Sequence, residues 1–191
     1  MQQRTGAEGV LGGTRDTLPA AGAGNPTVDP LKLYKSVDVF HSIVERHEPL
    51  VETIAVPSQR LYVNTRFGRT HLLAAGPKEA PALFLISGVA GCAPLWRKQL
   101  ESLSANFRVY ALDIPGQPGR SDPNPPSFLN DDYCDWLVDV LDDLGIERAH
   151  VAGISAGAWI AMRFGSLHPG RVRKVVMLGP TGISSARLPV K

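Results

Sequence analysis

The sequence predicts an α/β fold, a mostly parallel sheet flanked by helices. Four short runs, Ala82 to Ile86, Val109 to Leu112, Ala149 to Ala152 and Val175 to Leu178, are apolar without polar alternation. Such runs suit strands covered on both faces. Helical patterns lie between them, and strand, helix, strand, helix in sequence builds a parallel sheet through right-handed crossovers. Length and composition agree: 191 residues, 43% apolar and 20% charged, are the numbers of one soluble globular domain.

Met1 to Pro30 is rich in glycine and proline and has no aromatic residue. It cannot bury enough apolar area to offset its ordering entropy, so it is expected to be a disordered tail before a domain over residues 31–191. Leu33, Tyr34, Val37, Phe40, Ile43 and Val44 recur at helical spacing, giving a helix over Leu31 to Arg46 that stops before Pro49. Gln59 to Thr65 and Thr70 to Ala74 read as an antiparallel hairpin turning at Arg66-Phe67-Gly68-Arg69. After the strand at Ala82 a weaker helix covers Leu95 to Leu103. Tyr133, Leu137, Val140, Leu141 and Leu144 form an apolar stripe, with Asp131 and Asp132 at its start and Gly145 as its stop. A last helix runs from Ala156 to Leu167 and ends at His168-Pro169.

Several classes are excluded or disfavoured. A net charge of +2 gives no argument for nucleic acid. No apolar run approaches the ~18 residues of a membrane span, and no secretory leader is visible, so a cytoplasmic protein is expected. Two cysteines, Cys92 and Cys134, rule out a disulfide framework and a four-cysteine zinc site. No metal constellation or phosphate loop is present, so no cofactor is expected.

The strongest chemical signal is Gly153-Ile154-Ser155-Ala156-Gly157, placed after a strand and opening a helix. That is the context of a nucleophile elbow, whose glycines let backbone pass close on either side of a strained serine. Ser155 could attack a carbonyl there, and the Ala156 N–H could stabilise the oxyanion. Ser87-Gly88-Val89-Ala90-Gly91 ends a neighbouring parallel strand on the same rim, where open α/β sheets bind ligands, and the Val89 N–H could be a second donor. Asp113, in the loop Asp113-Ile114-Pro115-Gly116-Gln117-Pro118-Gly119-Arg120-Ser121-Asp122, reads as a carboxylate holding backbone N–H groups rather than as a catalytic group. Val89, Cys92 and Trp96 could line the acyl side of a site, though packing alone would explain all three.

These three loops in this order resemble the α/β-hydrolase superfamily. The lead-in, a helix followed by VNTRFGRTHLLAAGP, resembles a bacterial carboxylesterase subgroup. The resemblance covers about Leu31 to Ile183. It implies the α/β-hydrolase fold, Ser155 as nucleophile, and an oxyanion hole from the backbone of Val89 and Ala156. It also implies a serine hydrolase acting on small carboxylic esters by acyl transfer. Family members usually carry His-Gly where this chain has Ser87-Gly88, a histidine that shapes the loop and is not the catalytic one.

In the family the acid and the histidine of the triad follow the serine. Here Glu147 is the last acidic residue, and His168 is the one histidine after Ser155. His168 lies 13 residues on, roughly 20 Å along a helix. His150 lies about 16 Å back along a strand. His41, His47 and His71 read as surface or capping histidines. Acid and base are therefore expected to be absent from this chain, together with the cap and the last strands. Arg148, Arg163, Arg171, Arg173, Lys174, Arg187 and Lys191 follow Glu147 with no negative charge among them, as if their acidic partners lay in a missing segment. The alternative is a non-catalytic fragment or interaction protein whose open edge at the sixth strand pairs with a second chain.

Overall fold

The computed structural model describes residue 33 and residues 35–182. The expected tail, Leu31, Lys32 and Tyr34 of the expected N-terminal helix, Arg187 and Lys191 lie outside the described residues.

A six-stranded sheet runs in the order β1-β2-β4-β3-β5-β6. Its strands are β1 (Ser58–Thr65), β2 (Gly68–Ala75), β3 (Ala82–Ile86), β4 (Arg108–Leu112), β5 (Ala149–Ile154) and β6 (Val172–Leu178). The hairpin β1-β2 is antiparallel and β2 meets β4 antiparallel, whereas β3 pairs in parallel with β4 and β5, and β5 with β6. The helices are α1 (Val37–Glu52), α2 (Arg97–Leu103), α3 (Asp132–Asp143) and α4 (Ala156–Leu167).

The unalternated strands are explained by a core on each face. Phe84, Ile86, Tyr110 and Leu112 point to one side, where Trp136, Leu137, Ile160 and Phe164 of α3 and α4 cover them. Leu83, Leu85, Val109 and Ala111 point to the other, against Val51 of α1 and Trp96 and Leu100 around α2. Neighbouring residues on one strand thus reach opposite cores, and both cores are apolar. Trp96 belongs to this packing, which is the structural reading open for it from the sequence.

Several boundaries differ from expectation. The hairpin turns more tightly, because Thr65 pairs with Gly68 across Arg66 and Phe67, with Gly68 at φ 96. The helix around Trp96 begins as a 3-10 turn over Ala93–Trp96. Helix α1 does not stop before Pro49 but runs through it to Glu52. It starts at Val37 rather than Leu31, with Leu33, Lys35 and Ser36 outside the helix, because the Ser36 side chain accepts from the Val39 N–H and caps it there; its end is set by burial of His47 and Val51. Proline removes one helical hydrogen bond near the end of the helix, and the anchoring of the last turn outweighs that loss.

Two of the cations expected to lack partners find them within the chain. Arg163 Nε donates to Asp131 Oδ1 at 2.8 Å, and Arg171 pairs with Asp142 at 2.6 Å. Both acids precede the elbow, on or beside α3, which packs alongside α4. Among the described residues strand β6 pairs on one side only, and Val176, Met177 and Leu178 on it are 49%, 44% and 45% exposed. No helix among the described residues is long and apolar enough to cross a membrane.

Candidate active site

Ser155 stands between the end of β5 and the start of α4, at φ 55 and ψ −117. Non-glycine residues hold such a conformation only where their surroundings force it, at a cost of about 1–3 kcal/mol. The forcing is visible on both sides. The Ser155 N–H donates to Leu178 O of β6 at 3.0 Å, and its carbonyl accepts from Ala158 N at 3.1 Å as α4 begins. Gly153 and Gly157 make the close approach possible. A Cβ on Gly157 would meet the Ser87 carbonyl oxygen at 2.5 Å, and one on Gly153 would meet Ala158 N at 2.6 Å. The Ala156 N–H lies in the first turn of α4, at the positive end of the helix dipole.

The Ser87–Gly91 loop lies beside this turn. A Cβ on Gly88 would be 3.1 Å from Ser155 Cβ and 3.6 Å from its Oγ, so the loop backbone touches the serine. Val89 is 67% exposed on that rim. Ser87 is buried under Gly91 and its Oγ donates to Cys92 O at 3.4 Å, closing the loop from within.

The loop after β4 braces this rim. Asp113 is fully buried and does what was expected of it: Oδ1 accepts from Ala93 N at 2.6 Å and Oδ2 from Arg120 N at 2.9 Å. It also does more. Oδ2 accepts from His71 Nδ1 at 2.8 Å, and His47 Nε2 lies 3.0 Å from the same oxygen at poorer alignment. His47 and His71 are therefore not surface or capping histidines; they are 3% and 0% exposed. The three side chains converge from α1, β2 and the β4 loop, and metal-binding atoms of all three lie within 4.8 Å of one another. The ordinary hydrogen bonds at the carboxylate account for this cluster.

Burial alone would raise the Asp113 pKa, but the contacts from His47 and His71 prevail and hold it well below the carboxylate range. Burial lowers the His71 pKa below 6.5, with the Asp113 hydrogen bond opposing in part. The sign for stability follows. As pH falls through about 6.5 the unfolded chain protonates His71 and the folded one does not, so stability drops. Below about 3.8 Asp113 adds a second loss in the same direction. Urea midpoints are expected to fall between pH 7.5 and 5, and His71→Gln to reduce that slope. An unchanged slope in the variant would contradict the assignment.

Asp113→Asn is expected to cost roughly 3 kcal/mol, because a carboxamide turns its NH₂ toward groups that donate to the carboxylate. Urea unfolding of the variant measures it, and a loss under about 1 kcal/mol would show that the cluster relaxes freely.

No hydrogen bond joins Ser155 to a histidine among the described residues. His168 caps the far end of α4 against Phe164, and His150 on β5 meets Phe107 edge-on. Sequence reasoning missed the pairing of His47 and His71 with Asp113. A histidine inside the run Thr70-His71-Leu72-Leu73 was the available signal, since that strand is buried on both faces.

Comparison with known proteins agrees with the geometry. Residues 81–189 match the model of the alpha/beta hydrolase fold family. Carboxylesterase YbfK of Bacillus subtilis is 39% identical over 125 residues, covering 65% of this chain and 42% of that protein. Its crystal structure superposes with a TM-score of 0.71 at 34% identity, over 75% of this chain and 50% of the other. The naproxen esterase of Bacillus subtilis superposes with a TM-score of 0.65 at 34% identity, over 74% of this chain and 48% of that one. The chain thus spans about half the length of these relatives.

Proposed function

Since the chain belongs to the α/β-hydrolase fold family, we propose that it carries the nucleophile half of a carboxylesterase site, with Ser155 as nucleophile. The observation that carries the reading is the Ser155 backbone at φ 55, ψ −117 between β5 and α4, with Gly88 against its side chain. In this reading Ser155 Oγ attacks the carbonyl carbon of a small ester. The Val89 and Ala156 N–H groups receive the charge that develops on the carbonyl oxygen. The alcohol leaves, and water releases the acid from the acyl-serine. The Oγ proton needs a base, and the base needs an orienting carboxylate. Neither contacts Ser155 among the described residues, so both are proposed to come from polypeptide beyond this sequence. The relatives named as carboxylesterases support an ester as the substrate class.

A fluorophosphonate probe tests this reading. Stoichiometric labelling at Ser155 in the intact protein is expected, and labelling at another residue would overturn it.

The β6 edge, without a pairing strand among the described residues, favours a second reading, in which the chain acts through what pairs there. Half-exposed Val176, Met177 and Leu178, beside backbone that pairs with no strand among the described residues, make an adhesive edge. The intact mass of the protein from its own source separates the readings. A mass near 20.5 kDa favours a partner chain at β6, and a much larger one favours a continuous hydrolase.

A further inference from the structure

We propose that Gln117 is a positioning residue for the oxyanion loop, holding the Gly88–Gly91 turn that carries the Val89 N–H in a single form beside Ser155. The functional half of this claim rests on the reading of Ser155 as nucleophile.

The Gly91 N–H donates to Gly88 O at 3.0 Å, which makes Val89 and Ala90 the central pair of a β-turn. Ala90 sits at φ 62. A positive φ at the third turn residue belongs to type II, where glycine is the usual occupant. Alanine there costs roughly 1 kcal/mol. The same four residues could form a type I turn, with negative φ at both central positions. The two forms differ mainly by a half-rotation of the peptide plane between Val89 and Ala90. Local sterics alone would favour type I for this sequence.

One hydrogen bond opposes that rotation. The Ala90 N–H donates to Gln117 Oε1 at 2.9 Å, and a rotated plane would turn this N–H away. A bond of this kind contributes about as much as the strain costs. Gln117 is presented by a second turn, in which its N–H donates to Ile114 O at 3.0 Å, with Pro115 second and Gly116 third at φ 75. Proline and glycine suit those positions without strain, so the support is more rigid than the loop it holds.

The consequence falls on Val89, which lies between two pinned peptide planes. The Gly88–Val89 plane is fixed by the Gly91 bond to Gly88 O, and a trans peptide sets the Val89 N–H opposite that carbonyl. The Val89–Ala90 plane is fixed by Gln117. Gly88 itself lies against Ser155. An oxyanion donor stabilises charge only if its direction is set before the reaction; the Gly91 bond, which both turn forms keep, sets the Val89 N–H, and Gln117 adds to it by holding the turn in one form, so that Val89 does not exchange between two backbone conformations beside Ser155.

The test uses Gln117→Ala, Ala90→Gly and the double variant in the intact protein. Rates of fluorophosphonate labelling and p-nitrophenyl acetate hydrolysis are measured beside hydrogen exchange of the Ala90 amide. Gln117→Ala is expected to slow labelling about tenfold, a fraction of what a lost oxyanion donor costs, and to lower kcat with KM little changed. Ala90→Gly in the Gln117→Ala background should restore most of the rate, because glycine takes positive φ without strain. A residue that merely supported folding would not be rescued this way. Unchanged rates in Gln117→Ala, or a double variant as slow as the single one, would overturn the proposal. An unlabelled wild type would instead overturn the nucleophile reading. Ala90 exchange then judges the turn alone: faster exchange in Gln117→Ala upholds Gln117 as its clamp, and equal protection refutes it.

Discussion

Ser155→Ala is expected to abolish fluorophosphonate labelling while leaving the fold intact. The hydroxyl is the group that would form the covalent bond, and no hydrogen bond of the Ser155 side chain to a histidine exists among the described residues to be lost. The informative companion is Ser155→Gly. At φ 55 and ψ −117 any residue with a Cβ is strained, so alanine keeps the strain and glycine releases it. Ser155→Gly is expected to unfold at higher urea, by about 1 kcal/mol, even though glycine also loosens the unfolded chain. Both variants should be unlabelled. Persistent labelling in Ser155→Ala would place the nucleophile elsewhere. A glycine variant less stable than the alanine one would show that the turn stores no strain.

Gly157→Ala is expected to be the most damaging substitution to the fold. Its Cβ would overlap the carbonyl oxygens of Ile86 and Ser87, at the end of β3 where it passes under α4. Gly153→Ala would drive a Cβ into the backbone of Gly157 and Ala158. The obstacles are main chain from other turns, which cannot rotate aside as a flexible side chain would. Ordinary overpacking costs about 1–3 kcal/mol. Here strand and helix must separate, so a loss of about 4 kcal/mol or more is expected, a large part of a typical domain's stability. Gly170→Ala is the control, because a Cβ there meets nothing within 4 Å. It should stay within about 0.5 kcal/mol of the parent. Urea midpoints and soluble yield separate the three. Wild-type stability in Gly157→Ala would mean that α4 does not press on β3 as described.

The strands and α4 were legible because each is a local pattern read against a simple boundary. The run Ala82-Leu83-Phe84-Leu85-Ile86 offers no polar face, so it must be covered twice, and it is. Helix α4 begins and ends where the elbow and His168-Pro169 require. The stop at Pro49 failed because a local rule met a tertiary anchor: buried His47 and Val51 hold the last turn of α1 to Glu52. The expected shortage of acidic partners failed for Arg163 and Arg171 for a related reason. Charges pair through space, and α3 lies beside α4 although it precedes it by a strand.

The site divides in the same way. Gly153, Ser155 and Gly157 are neighbours in sequence, and their spacing states the geometry of the turn they form. By itself the sequence therefore determined the layered α/β architecture, the strand-to-helix turn at Ser155 and the family resemblance, all of which rest on contacts between near neighbours. Only the tertiary structure decided that His47, His71 and Asp113 meet, or that Gln117 reaches across to Ala90. Those contacts join α1, β2 and two loops over separations of tens of residues. Hydrogen bonds of this kind depend on atoms brought within about 3 Å by the packing of apolar strands. The polar residues that make them carry no periodicity of their own, so no local pattern announces them.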